Sequence, residues 1–370
     1  MNPLLSVVIT AYKDPEHLEA LLEYFLLNKR RSELEIIVSV DEPGEELKRI
    51  VDKYKGMATF LLSEDRRGKV TALNSALSYA KGDIIIFLDS DVLINDDAFI
   101  EEILKEMKSA DVMEIKKVAF DDTIIGKLVY YDYVSFGIAS WIFDRRVGRC
   151  AGLNGAAIAF RRAALKELGG FKNCILEDMD IGFRSFFLNL RFKYFHSSHV
   201  YVDSPSTIKE WANQRLRWSQ GAWVWLKEYL PLILQGSSKY PVESITVLIV
   251  MFPWILIFPT EILSFFPVFS GMFIALWHIG LSFFASLLPL VYLMEAMLAF
   301  MPPQIFFTLP YFVAYAIFVY LSGKKIGYKV SLKWLALYFF FYAPIWLSIM
   351  VAGFIRTIIF KRKDIKGWKI

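Results

Sequence analysis

The last third of this chain restricts its fold more than any other part. Four apolar segments, approximately residues 245–269, 273–298, 305–321 and 334–358, follow Pro241. Each reaches the ~17–25 residues that a helix needs to cross a bilayer. A segment in lipid must satisfy its own backbone, so these stretches are expected to be helices. Pro253, Pro259, Pro289 and Pro344 interrupt them, which helices packed against neighbours tolerate. A C-terminal membrane bundle of about four helices, residues 241–370, is therefore expected. Four spans return Lys361-Arg362-Lys363 to the side of the N-terminus, but put Lys324, Lys325, Lys329 and Lys333 on the far side, against the positive-inside rule. Three spans, with the first segment lying in the membrane plane, reverse both placements. The four-span arrangement is the expectation carried forward.

Composition agrees with a membrane protein. The chain is 55% hydrophobic and 16% aromatic, with mean hydropathy +0.40, above the range of soluble enzymes. The net charge of +4 is small and sits largely beside apolar segments, which fits a membrane surface and not nucleic acid. The two cysteines, Cys150 and Cys174, read as reduced cytosolic thiols. The apolar run at residues 4–10 is too short for a signal peptide, and Lys13-Asp14-Pro15-Glu16 breaks it. The N-terminal domain is thus expected in the cytosol.

From residue 4 to about 112, short β-rich runs at 5–10, 35–40, 59–63 and 83–88 alternate with helical stretches at 15–27, 45–54 and 70–80. Such alternation implies a mostly parallel, Rossmann-like α/β sheet. Ligands of these sheets bind at the carboxyl ends of the strands. Asp14, Asp41, Asp89 and Asp91 all fall just past strand ends, so one edge collects them. Residues 113–210 are less regular, with a strand near 112–119, an aromatic stretch at 130–143 and a helix from about 161. An amphipathic stretch rich in Trp, Gln and Arg then lies along the interface, within residues 210–240.

Three clusters carry chemistry. Asp89-Ser90-Asp91 follows the apolar run 84–88, and two carboxylates so spaced can share a hard divalent cation. Glu177-Asp178, followed by Asp180, crowds three carboxylates, which raises the pKa of one toward a value useful for proton abstraction. Gln214, Arg217 and Trp218 share one helical face and set an amide and a guanidinium beside an indole, a combination suited to a diphosphate and a sugar. A plain interface anchor is the other reading of Trp218, as for Trp211, Trp223 and Trp225. Lys69, after Arg66-Arg67-Gly68, stands at a helix start where phosphate is favoured. The four histidines show no zinc-ligand spacing and receive no role.

These clusters occur in a set order: Ala11-Tyr12-Lys13-Asp14, Asp41, Arg67-Gly68-Lys69 with Ala72-Leu73-Asn74, and Asp89-Ser90-Asp91. Gly155 with Arg161-Arg162, Gly169-Gly170-Phe171, Glu177-Asp178 and Gln214 with Arg217-Trp218 complete it. In this the chain resembles the family 2 inverting glycosyltransferases of GT-A fold, in the branch holding cellulose, chitin and hyaluronan synthases and ceramide glucosyltransferases. The resemblance covers roughly the first two thirds and implies a cytosolic GT-A domain over residues 1–209.

It also implies roles. Asp91 is the direct ligand of Mg²⁺ or Mn²⁺, with Asp89 nearer the nucleoside. Ala11, Tyr12, Asp14, Asp41, Lys69, Asn74, Gln214, Arg217 and Trp218 bind the nucleotide-diphosphate sugar, a UDP-sugar being favoured. Asp178 is the general base, while Gly155, Glu177 and Trp218 face the acceptor. The implied protein is integral to the cell membrane. Its acceptor is a growing polysaccharide, as in a processive synthase, or a lipid receiving one sugar. Polysaccharide synthases of this kind also carry spans before the catalytic domain, whereas nothing before residue 241 here is apolar enough to span. Association into oligomers is left open.

Overall fold

The computed structural model describes residues 4–13, 15–120, 122–255 and 305–361. Strands β1 (Leu5–Tyr12), β2 (Leu34–Asp41), β3 (Thr59–Ser63) and β4 (Ile84–Asp89) pair in parallel, in the spatial order β3-β2-β1-β4. Helices α1 (Leu18–Leu26), α2 (Glu45–Lys53) and α3 (Lys69–Tyr79) connect them. The central strands are apolar without alternation because both faces are covered; every residue of Leu5–Ala11 is buried.

The second half of the sheet is mixed. Beyond β4 the order continues through β7 (Ala157–Arg161), β6 (Val112–Ala119), β8 (Phe192–Val202) and β5 (Val92–Leu93). β7 runs antiparallel to both β4 and β6, while β6 and β8 are parallel, with a register shift between Ile115 and Lys117. Helix α4 (Phe99–Glu106) precedes β6. The aromatic stretch after it forms one long helix, α5 (Ile124–Arg146), begun by Thr123, whose hydroxyl accepts from the Gly126 amide. Helices α6 (Arg162–Leu168) and α7 (Glu177–Phe187) flank β7 and β8.

Helix α8 (Ile208–Lys239) fills the expected interface segment and opens with a capping box between Thr207 and Glu210. Then come α9 (Pro241–Met251), α10 (Ile305–Lys325) and α11 (Leu332–Ile359), the last interrupted by π turns at Tyr338–Tyr342 and Ile355–Ile359. Among the described residues, α11 is the one helix long and apolar enough to cross a membrane. Of the expected spans, 273–298 lies outside the described residues, and 245–269 is described only to Ile255.

The turn between α10 and α11 docks on the sheet domain. Tyr328 is buried, its hydroxyl 2.8 Å from the Lys117 carbonyl and 3.1 Å from that of Tyr133. Lys116 Nζ donates to the Gly327 carbonyl at 2.8 Å. Tyr131 brackets Ser331, its hydroxyl accepting from the amide at 2.9 Å and donating to the carbonyl at 2.8 Å. The loop that the four-span expectation puts on the far side thus packs on the sheet domain, while the number of spans rests on residues 256–304, which lie outside the described residues. Lys324, Lys325, Lys329 and Lys333 flank a turn that packs against the sheet domain.

Candidate active site

Three parallel strands end level. Thr10 of β1 pairs with Asp89 of β4, and Tyr12 pairs with Asp41 of β2, so the edge carries Tyr12, Asp41 and Asp89 together. Asp41, 4% exposed, accepts from the Arg67 and Gly68 amides at 2.8 Å each and from Arg67 Nε at 2.9 Å. It thereby braces the turn that starts α3. Gly68 has φ of 94°, a left-handed conformation that disfavours any side chain. Tyr12 is exposed at the rim, with the Arg66 guanidinium 4.4 Å from its ring centre. Ala11 is buried beneath it, and Asp14 lies outside the described residues.

The turn braced by Asp41 delivers Lys69, the first residue of α3, into the cleft. Its Nζ lies 2.8 Å from Asp89 Oδ1 and 3.3 Å from Glu177 Oε1. Burial works against the Lys69 charge, but Asp89, Glu177 and Asp178 outweigh it and hold its pKa above the usual range. Asp91 is exposed as a residue, while neighbouring protein crowds its carboxyl group. Removal from water and the Asp89 charge push its pKa up to about 7, against the pull of Lys69.

Asp178 stands at the start of α7. Its Oδ2 accepts from the Gly155 amide at 2.6 Å, and Oδ1 from the Met179 amide at 2.7 Å. A Cβ at position 155 would lie 2.8 Å from Asp178 Cβ and Oδ2, so the approach admits only glycine. Burial raises the Asp178 pKa, opposed by Lys69 and the two amides. Burial likewise lifts Glu177 to about 7, with Lys69 opposing and Asp178 adding. Asp180 points away and pairs with Arg184 at 2.7 Å, a structural charge.

Not every sequence candidate reaches the cleft. Asn74 clasps the Phe171 backbone, donating to its carbonyl at 2.8 Å and accepting from its amide at 3.0 Å. Arg217 faces the acidic group: burial lowers its pKa while Glu177, Asp89 and Asp178 support its charge. Gln214 and Trp218 both contact Arg215, the first accepting from Nη1 at 3.1 Å, the second stacked 4.1 Å from the guanidinium.

Residues 2–221 match the family model described as glycosyltransferase like family 2. The chain belongs to glycosyltransferase family 2. It is an enzyme of that family, a glycosyltransferase. Among curated relatives it is 27% identical over 236 residues to the poly-β-1,6-N-acetyl-D-glucosamine synthase of Staphylococcus epidermidis, over 62% of this chain and 57% of that protein. The synthase named likewise from Staphylococcus aureus (strain COL) is 24% identical over 223 residues, 59% of this chain and 54% of that one. The chain thus spans a little over half the length of these relatives. Among solved structures, the mannosyltransferase PcManGT of Pyrobaculum calidifontis, in complex with GDP-Man and Mn²⁺, matches with TM-score 0.51 and 18% identity over 88% of each chain. That likeness bears on the fold alone.

Within this family member, sequence reasoning overlooked two groups beside the cleft. His17 Nε2 lies 3.0 Å from Asp203, and Glu16 completes a trio whose ligand atoms fall within 4.8 Å of one another. The Asp203 amide also donates to the Asp91 carbonyl at 3.4 Å. Arg215, given no role from the sequence, is 1% exposed and paired with Asp132. An ionisable residue inside an aromatic stretch, as Asp132 is, was the signal available.

Proposed function

We propose that this enzyme moves a sugar, with inversion, from a nucleoside diphosphate to an acceptor presented at a membrane surface. The observation that carries the reading is the Asp178 carboxylate, fixed by the Gly155 and Met179 amides on the same cleft as the Lys69–Asp89 pair. Asp178 takes the acceptor hydroxyl proton as the acceptor oxygen attacks the anomeric carbon. The bond from that carbon to the diphosphate breaks, and the diphosphate leaves with its electron pair. Lys69 and Arg217 supply positive charge where the leaving group gains negative charge. Arg66 over Tyr12 offers a rim for the nucleoside. A UDP-sugar remains the favoured donor.

Asp91 and Asp89 suit a divalent cation, since both offer only oxygens and the Asp89 charge adds to desolvation in raising the Asp91 pKa. They would hold Mg²⁺ or Mn²⁺, which when bound neutralises diphosphate charge as a Lewis acid.

The acceptor is read as a growing polysaccharide, in keeping with the synthases it resembles over 62% of its length. A lipid acceptor is the second reading. It is favoured by α11, which packs along α8 and exposes Phe341, Ile345 and Val351, a surface for lipid beside the helix that carries Arg217. Either acceptor calls for a protein integral to the cell membrane with its sheet domain in the cytosol. The test is full-length protein in lipid nanodiscs with a panel of radiolabelled nucleotide sugars. A product that depends on Asp178 is expected, its size separating polymer from single-sugar lipid. No turnover of any donor, or turnover unchanged in Asp178→Asn, would overturn the reading.

A further inference from the structure

Arg215 heads the fully buried side chains of the described residues. Its Nη2 donates to Asp132 Oδ2 at 2.5 Å and to the Tyr342 hydroxyl at 3.0 Å, and its Nε to that hydroxyl at 3.3 Å. Tyr342 in turn donates to Asp132 Oδ2 and accepts from Trp211 Nε1 at 2.8 Å, while Tyr338 donates to Asp132 Oδ1 at 3.1 Å. One charged knot thus joins α5, α8 and the apolar helix α11.

A buried ion pair rarely adds net stability over well-packed apolar groups, but it can specify a single registry. Registry matters here. Residues two apart on a helix point about 200° from each other, so Arg215 in the knot sets where Arg217 points across the helix. The backbone of α8 is wedged as well. A Cβ at Gly221 would lie 2.8 Å from Ile175 and Leu176, just before Glu177-Asp178, and one at Gly353 of α11 would overlap Ser219 of α8.

We propose that Asp132, Arg215 and Tyr342 are positioning residues, which fix the rotation of α8 and so aim Arg217 at the departing diphosphate. The proposal rests on the glycosyltransferase reading of the cleft and adds to it. Turnover becomes dependent on the seating of the apolar helix, because two of the five groups in the knot belong to α11.

The test uses full-length Tyr342→Phe and Asp132→Asn, each alone and combined with Arg217→Ala, assayed for kcat and KM of nucleotide-sugar turnover. Tyr342→Phe keeps the ion pair and guards against a misfolded Asp132→Asn. Each single variant is expected to lower kcat, by up to about 10²-fold, with the donor KM changed far less. In the Arg217→Ala background neither should lower it further, because both act through Arg217. Losses that multiply in the combined variants, or an unchanged kcat in both singles, would overturn the proposal. Hydrogen exchange of the α8 amides supplies a second arm independent of activity. Faster exchange across α8 in Tyr342→Phe is expected, and unchanged exchange would overturn the proposal. If the unaltered protein turns over no nucleotide sugar, the cleft reading fails by itself while the exchange arm still judges the knot.

Discussion

The Gly155 amide holds the Asp178 carboxylate at 2.6 Å, and the same glycine leaves no room for a Cβ there. Gly155→Ala therefore displaces the base without touching any other proposed contact to the donor. Turnover should fall by about 10²-fold, the scale of a misplaced reacting group. Calorimetry with nucleoside diphosphate should show affinity nearly unchanged. Equal losses of both would mean that the whole cleft had shifted.

Asp178→Asn preserves shape and removes the proton acceptor. Loss of a general base costs ~10²–10⁴ in rate, so kcat should collapse while donor binding persists. A comparable drop in donor affinity would make Asp178 a binding residue.

The pH profile follows from the same group. As the proposed base Asp178 works ionised, so activity is expected above its pKa and lost as pH falls through it. Burial raises that pKa above the ordinary carboxylate value of about 3.9, and the adjacent Glu177 is lifted to about 7. The acid limb of kcat/KM should therefore lie above pH ~4, read as a property of the interacting group and not of one residue. A limb at the ordinary carboxylate value would contradict the buried site.

Metal removal tests Asp91. Chelation should abolish turnover, and excess Mg²⁺ or Mn²⁺ should restore it, since two aspartates offer oxygen ligands alone. Asp91→Ala should be inactive yet elute and melt as the unaltered protein does. Full activity in excess EDTA would remove the metal from the mechanism.

Tyr328 tests the docked turn. Tyr328→Phe leaves the Lys117 and Tyr133 carbonyls without that hydroxyl, at a cost of about 1–3 kcal/mol for buried polar groups left unpaired. Thermal melts in detergent should register it. An unchanged melting temperature would mean that the turn is not held by this contact.

How much of this was legible differs along the chain. Strands such as Leu5–Tyr12 and Ile84–Asp89 are apolar runs bounded by polar turns, and the acidic residues at their ends mark the cleft edge without further help. Helix α5 was not legible as one helix. Of its residues, Tyr131, Asp132, Tyr133, Val134 and Ser135 are all buried in succession, which erases the helical period that an exposed face provides. Asp41 and Asn74 were legible as candidates but not as braces, because their partners are backbone groups that no residue pattern encodes. Arg215 was hidden for a related reason: Asp132 lies 83 positions away and Tyr342 lies 127, and nothing local records either.

The Tyr328 contact also constrains the order in which this protein is made. Its two carbonyl partners stand 211 and 195 positions earlier in the chain. The sheet domain is synthesised long before the residue that closes it, and contacts so distant form slowly. Until α10 and the turn after it have been made, the flank of β6 and α5 that receives Tyr328 stays uncovered. The nascent domain thus carries uncovered apolar surface until the turn arrives, and its docking is a late folding step.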